Sequence, residues 1–398
     1  MRSILRRLNI RYSGEKNPMK IMYIAPRFHT NQSAVVKGWL EQGDEVLFIS
    51  YYTAIIEDYS CIQPMVLGFS PLFLLIDKLY TEVLHRRDVA ASAFKINHGF
   101  PPVFRLRKVI RRWKPDIIII RDRTLYSIAG YLLGRKSKCI LYNQSPLWDE
   151  PPKQDFKHRL VRSLTPRYRM TPVMGKKEPG KVIAPNSYFV PFVVEPQLSP
   201  DKKSYFQDDC IHILCIGKFE PRKHHMMLMD VVNELKKETG EKYHLTVIGE
   251  ATGRMQKEFL ARVQKHIVEN RYEDMVTLLT NVPREKTNGY FAKADVYVIP
   301  STNEMASISQ LEAMSFSVPV ICSNQNGSAC YVKEGENGYQ FKDCDREDLK
   351  KKLALLLSDR ERIISMGAKA YQSILDGNVF QNYYDGIKEI LKSMEQGA

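Results

Sequence analysis

No apolar run in the 398 residues approaches the roughly 18 needed to span a bilayer as a helix. The first 18 residues intersperse Arg2, Arg6, Arg7 and Arg11 with only Ile4, Leu5, Leu8 and Ile10, so they lack the apolar core of a secretory signal. They read as a basic extension: either a short membrane-contacting helix or a dispensable leader ahead of a start at Met19. The seven cysteines form no Cys-x-x-Cys pair and their number is odd, which argues against a disulfide framework or zinc module and for a reducing, cytoplasmic setting. The nine histidines show no metal-ligand spacing on a common helix face, and the adjacent His224 and His225 are poorly placed to share an ion, so no metal is expected. The loop Pro26-Arg27-Phe28-His29-Thr30-Asn31-Gln32 has no glycine, so a dinucleotide fingerprint is absent and a nicotinamide-dependent dehydrogenase is disfavoured.

What the chain has is length, cations in one half, and alternation. At 398 residues it exceeds the size at which a single core usually keeps growing, and 44% hydrophobic with 26% charged residues is ordinary globular composition. Residues 1–200 hold 32 Lys and Arg against 16 Asp and Glu, whereas the remainder holds 27 against 29. The first half therefore faces something anionic: a lipid headgroup surface, a phosphate-bearing acceptor or nucleic acid, with nucleic acid the least expected partner. Two stretches there suit a membrane surface. Pro71 to Ile76 is a greasy run fit for a buried or an interfacial helix. Residues 105–114 mix six cations with Leu106, Val109, Ile110 and Trp113, and make either an interfacial helix with Trp113 at the headgroups or a sheet-covering helix with a solvated basic face.

Strands are expected at 20–25, 45–50, 115–120, 138–142 and 188–192, with a helix over 31–42. A second alternation follows: strands at 211–216, 243–248, 275–279, 294–299 and 318–322, separated by helices at 224–239, 254–270 and 284–292. Helices at 346–357, 359–375 and 379–394 close the chain. Residues 151–200 are rich in Pro, Lys and Arg and show no period. The expected layout is two doubly wound α/β domains, 19–195 and 210–378, with a linker at 196–209 and a last segment at 379–398.

Two stretches carry chemistry. Gly217-Lys218-Phe219-Glu220-Pro221-Arg222-Lys223-His224 follows a buried strand and opens a helix, and cations at such a turn suit a diphosphate. After the strand ending at Ile299 comes a polar loop, then a helix expected to begin near Ala306, bracketed by Glu304 and Glu312. Carboxylates repel phosphate, so sugar hydroxyls are their better partners. Asp343-Cys344-Asp345 has a metal-site form, but Asp345 just before a helical run is more simply an N-cap.

These stretches, with Pro300-Ser301, Glu312-Ala313-Met314 and Val318-Pro319-Val320 beside them, resemble the retaining glycosyltransferases of family 4. The resemblance is strong over 211–345 and diffuse over 20–195. It implies the GT-B fold, two Rossmann-like doubly wound domains facing a cleft, with the last helix crossing back to the first domain. It implies a nucleotide-sugar donor and a glycan or lipid-linked acceptor, with no cofactor. Lys218 stands where the family has Arg, Lys223 where it has Lys, and His224 where it has Gly; the two cations would stabilise the leaving diphosphate. Arg222 either supplements them or points to water. Glu304 would hold the donor sugar and Glu312 the ribose, with Met305, Ala306, Ser307, Gly217, Gly249, Glu250 and Val282 also on the donor. Asn326-Gly327-Ser328 sits at a family turn, and Ser317 replaces a usual Gly. His29 and Thr30 are acceptor-side candidates or a plain polar loop, and Asn143 stands near a position where many members carry His. A role in surface polysaccharide or lipid-linked glycan synthesis, at the inner face of the cell membrane, fits the charge asymmetry. A sugar-nucleotide hydrolase or epimerase on the same fold, or a non-catalytic basic binding protein, are the alternatives.

Overall fold

The computed structural model describes residues 17–29, 32–53, 57, 59–83 and 95–397. Most of the basic extension, including its four arginines, and Thr30 lie outside the described residues. In chain order the first domain runs β1 (Lys20–Ala25), α1 (Ser33–Glu41), β2 (Glu45–Ser50), β3 (Met65–Val66), α2 (Pro71–Val83), α3 (Val103–Trp113), β4 (Ile117–Arg121), α4 (Leu125–Leu133), β5 (Lys138–Tyr142), β6 (Trp148–Asp149), α5 (Phe156–Ser163), β7 (Tyr168–Thr171), β8 (Val182–Ile183) and β9 (Ser187–Phe189). The second runs β10 (Ile211–Ile216), α6 (His225–Thr239), β11 (Tyr243–Gly249), α7 (Arg254–Asn270), β12 (Val276–Thr280), α8 (Arg284–Lys293), β13 (Val296–Ile299), α9 (Ser309–Ser315), β14 (Val320–Ser323), β15 (Gly338–Phe341), α10 (Arg346–Leu357) and α11 (Arg360–Gly377), and α12 (Phe380–Gln396) ends the chain.

Both main sheets are parallel, and each reverses its winding at one place. The first has the order β3-β2-β1-β4-β5-β7-β9 and the second β12-β11-β10-β13-β14-β15. Parallel strands covered on both faces need apolar side chains on both, which is why Ile117 to Ile120 are all buried and show no alternation. The order reverses between β1 and β4 and between β10 and β13, so the loops leaving those strands splay apart and open a crevice at the carboxyl edge. In the region without sequence period, β6 and β8 form a short antiparallel pair, while β7 and β9 extend the main sheet.

The last helix packs on the first domain. Tyr383, Tyr384, Ile387 and Ile390 of α12 join the cluster of Tyr23, Trp39, Phe48 and Ile119. Trp39 meets Phe380 and Tyr384 edge-on at 5.3 and 5.5 Å, and its indole N–H donates to the Tyr23 hydroxyl at 2.9 Å. The approach requires Gly38, because a Cβ there would overlap the Phe380 ring. At the chain's return, the Asn378 side-chain amide donates to the Phe192 carbonyl at 3.0 Å and Val194 N–H donates back to the Asn378 carbonyl at 2.8 Å. The domains also touch through Tyr331, whose hydroxyl donates to the Pro172 carbonyl at 2.6 Å.

The segment around Trp113 takes the second of its two expected forms, a sheet-covering helix with an exposed basic face. Leu106 and Ile110 are buried, and Trp113 packs half-buried beside that cluster with the Lys20 ammonium 6.0 Å from its ring, so Trp113 is a packing residue and not a headgroup anchor. Among the described residues, no helix is long and apolar enough to cross a membrane.

Candidate active site

The crevice at the β10/β13 reversal holds a cavity of about 360 Å³. Its walls include Gly217, Lys218, Arg222, Lys223 and Glu304, with Ala306 and Ser307 beside them and Gly249, Glu250 and Val282 from the neighbouring loops. Lys223 and Glu304, 81 residues apart in sequence, meet there because the two parallel strands deliver their carboxyl ends side by side.

The β10 loop is shaped by its backbone. Gly217 N–H donates to the Ile248 carbonyl, and Pro221 to Lys223 form a single tight helical turn. His224 then takes a left-handed conformation at φ 49°, the conformation for which glycine is best suited. Lys223 is thereby turned inward, with only 7% of its surface exposed, and its ammonium pairs with the Glu304 carboxylate. Glu304 is also held by Arg222 Nη1 at 2.9 Å, and Arg222 Nε bonds Glu220 at 2.8 Å. Arg222 thus braces Glu304 from the wall of the same cavity. Lys218, more exposed, lies 3.7 Å from Glu250. Gly249 is required for fit, since a Cβ there would meet the Phe219 ring and, at 2.7 Å, the Gly217 carbonyl oxygen. Asn281, also left-handed, accepts the Ala251 N–H on Oδ1 at 2.9 Å and fixes the second glycine turn.

The loop after β13 departs from expectation. Asn303 takes φ 49°, which no helix tolerates, and α9 does not begin until Ser309. Met305 therefore projects into solvent at 63% exposure and does not line the cavity. The chain from Met305 to Ser307 is irregular loop whose N–H groups donate to no other group of the described chain. Behind it, Gly327 N–H donates to the Glu304 carbonyl at 2.8 Å, and a Cβ on Gly327 would overlap the Met305 carbonyl oxygen. At the deep end, Tyr297 donates to Ser309 Oγ at 2.6 Å, and Ser309 meets Ser307 Oγ at 2.9 Å. The sequence reading did not single out Ser309 or Tyr297; only the strand-to-loop order placed them nearby.

Glu312 is not in this cavity. Because α9 starts late, Glu312 lies in its first turn and faces an adjoining cavity of about 310 Å³, where it pairs with Arg284. Lys37 and Glu195, 3.0 Å apart, line the same cavity from the other side. Ile308 lines both cavities, so they abut.

The acceptor-side candidates stand at the carboxyl edge of the first sheet. His29 Nδ1 is 3.2 Å from Glu57, its Nε2 accepts from Arg27 Nε at 3.3 Å, and burial lowers its basicity below the usual imidazole range. Asn143 is buried, and its Oδ1 accepts no hydrogen bond from the described residues. Neither lines the cavity with Lys223. Asp345 caps α10, accepting Asp348 N–H at 3.1 Å, while Asp343 accepts from Thr302 and Ser323 at 2.6 Å each. Among the described residues, no group of three or more His, Cys, Asp or Glu is placed to hold a metal ion. Ser317, where a packing difference was expected, holds φ 59° and donates to the Leu198 carbonyl at 2.7 Å, so the backbone itself is unusual there.

Residues 200–373 match the family model described as glycosyl transferases group 1. The chain is 25% identical over 156 residues to the D-inositol 3-phosphate glycosyltransferase of Nocardia farcinica, an alignment covering 39% of this chain and 34% of that one. It thus spans about a third of that relative's length. Among solved structures it superposes on a glycosyltransferase from Rickettsia africae ESF-5 with a TM-score of 0.67 at 12% identity, covering 96% of this chain and 100% of that one. The Anabaena HepE structure in complex with UDP-glucose gives a TM-score of 0.65 at 13% identity, covering 94% and 100%. The chain therefore has the GT-B fold, and its residues 200–373 are similar to the group 1 glycosyl transferases.

Proposed function

We infer that this protein transfers a sugar from a nucleotide-sugar donor to a hydroxyl acceptor with retention of anomeric configuration. The observation that carries the reading is the single cavity lined by Lys218, Lys223 and Glu304, with the loop residues Ala306 and Ser307 beside them. Cations and amides suit a diphosphate, and a carboxylate beside them suits sugar hydroxyls. The family match of the second domain and the UDP-glucose held by the similarly folded Anabaena protein support a nucleotide-sugar.

In the proposed reaction the bond from the sugar's anomeric carbon to the diphosphate oxygen breaks while the acceptor oxygen bonds to that carbon on the same face. The acceptor's proton passes to the departing diphosphate, so no enzyme nucleophile, cofactor or metal is called upon. Lys223 and Lys218 stabilise charge as it develops on the leaving group. Glu304 orients the sugar, and Arg222 keeps that carboxylate aimed when Lys223 turns to phosphate. Glu312 serves the ribose only if the donor reaches past Ile308 and displaces Arg284. The acceptor, a glycan or lipid-linked saccharide, enters from the basic first domain near His29 and Asn143, with the protein peripheral at the cytoplasmic face of a membrane.

A thermal-unfolding screen against a panel of sugar nucleotides tests this. At a hundred times its Kd, a true donor adds about 2.7 kcal/mol, or roughly 5–10 °C in Tm for the domain that binds it. Lys218→Ala and Lys223→Ala should each lose most of that shift. Equal stabilisation of wild type and both variants would defeat the site assignment, and donor turnover without any acceptor hydroxyl would point to a hydrolase.

A further inference from the structure

α2 is apolar on the side it shows to solvent. Leu72, Leu75, Ile76 and Leu79 recur at the i, i+3, i+4, i+7 spacing of one helix face, and each is between 44% and 62% exposed. Phe73 and Asp77, on the opposite side, are buried. A soluble helix normally turns such a stripe inward, and a cluster of this size exposed on a monomer marks an interaction surface. The start of α2 is tied to the segment that leads into α3: Ser70 N–H donates to the Phe100 carbonyl at 2.9 Å, and Phe73 meets the Phe100 ring at 5.8 Å. Four residues past Phe100 stands Phe104, at 87% exposure. Beyond it α3 exposes Arg105, Arg107, Lys108, Arg111 and Arg112, none of which makes an ion pair with the described chain.

We propose that α2 and α3 form a docking surface for an anionic lipid bilayer, with the α2 stripe and Phe104 entering the headgroup and upper acyl region and the α3 cations neutralising headgroup charge. Each half of the pattern selects against other occupants. A nucleic acid would satisfy the cations but leave the leucine stripe in water. A second copy of this chain would cover the stripe but bring two sets of unpaired arginines together. Only an anionic surface with an apolar interior satisfies both. The inference rests on the proposed membrane-side acceptor but not on the donor cavity, so the two fail separately.

Co-sedimentation of the full chain with vesicles of phosphatidylglycerol mixed with phosphatidylcholine, and with phosphatidylcholine alone, tests the surface. The wild type should sediment with the anionic vesicles, less so with the neutral ones, and be released by salt. Leu72→Ser with Leu75→Ser and Leu79→Ser should weaken vesicle partitioning about tenfold or more, and Arg107→Glu with Lys108→Glu and Arg111→Glu about a hundredfold or more. Both sets change exposed positions, so their Tm and their response to a sugar nucleotide should stay those of the wild type, which separates lost docking from lost folding. The proposal is overturned if the wild type ignores anionic vesicles at low salt, or if the serine variant partitions unchanged. It is equally overturned if the stripe proves to hold a homodimer, seen as a shift to monomer in the serine variant without vesicle binding, or if only RNA is retained.

Discussion

The buried pair of Lys223 and Glu304 should couple strongly and asymmetrically in stability. Among the described residues Lys223 has a single carboxylate partner, Glu304, and its side chain is 8% exposed. Glu304 has two cations, Lys223 and, at 2.9 Å, Arg222. Glu304→Gln therefore strands an ammonium in a nearly closed site, and breaking a buried pair from one side costs about 3–5 kcal/mol. Arg222 is 37% exposed and keeps some hydration, so the lower end applies: about 3 kcal/mol, or roughly 6–12 °C in Tm for a domain of this size. Lys223→Met leaves Glu304 still bonded by Arg222 and should cost only about 1–2 kcal/mol, chiefly a lost charge-assisted hydrogen bond.

Combining the two changes removes both charges, and the double variant should be less destabilised than the sum by about 1.5–3 kcal/mol. Urea unfolding of the four proteins followed by fluorescence measures this coupling, provided the second domain unfolds in a resolved two-state step. A nucleoside diphosphate should restore Glu304→Gln by giving Lys223 an anion, and should do little for Lys223→Met. Coupling below about 0.5 kcal/mol, or equal costs for the two single changes, would refute the reasoning, because exposed pairs behave that way.

His225 is fully buried between Phe219 and Phe259, with neither ring nitrogen hydrogen-bonded to the described residues, and burial pushes its pKa down to about 3. The folded state thus refuses a proton that the unfolded chain takes up near pH 6.5, so this contribution is intact above that value and lost as pH falls toward 3. Between those limits His225→Phe should flatten the fall of unfolding free energy by about 1.4 kcal/mol per pH unit, as read from denaturant midpoints; identical pH profiles would contradict it. Gly327→Ala should cost about 3 kcal/mol and abolish sugar-nucleotide stabilisation, because the added methyl overlaps the Met305 carbonyl and pushes the Glu304 loop from the cavity. Donor binding unchanged in that variant would show the loop to be free to move.

How much was legible in advance follows from which forces act locally. The strands Lys20–Ala25, Glu45–Ser50, Lys138–Tyr142 and Ile211–Ile216 fall where the apolar runs place them, because burial on both faces leaves a continuous signal bounded by turn residues. Arg254–Asn270 and Arg346–Leu357 also match, the latter with its Asp345 cap. Residues 151–200 resisted because a short, cap-defined helix precedes β7, and β7 and β9 are short edge-side strands with only the two-residue β8 between them, too brief to carry a period. The α2 run read as apolar, but whether it was buried depended on neighbours that sequence does not name.

The two glutamates show where spacing ceases to inform. Seven residues between them imply a shared face only if the chain between is helical throughout. One left-handed residue, Asn303, and a late helix start at Ser309 send Glu304 toward Lys223 and Glu312 toward Arg284, on opposite sides of Ile308. A ligand that engaged both carboxylates would have to run past Ile308, which lines both cavities.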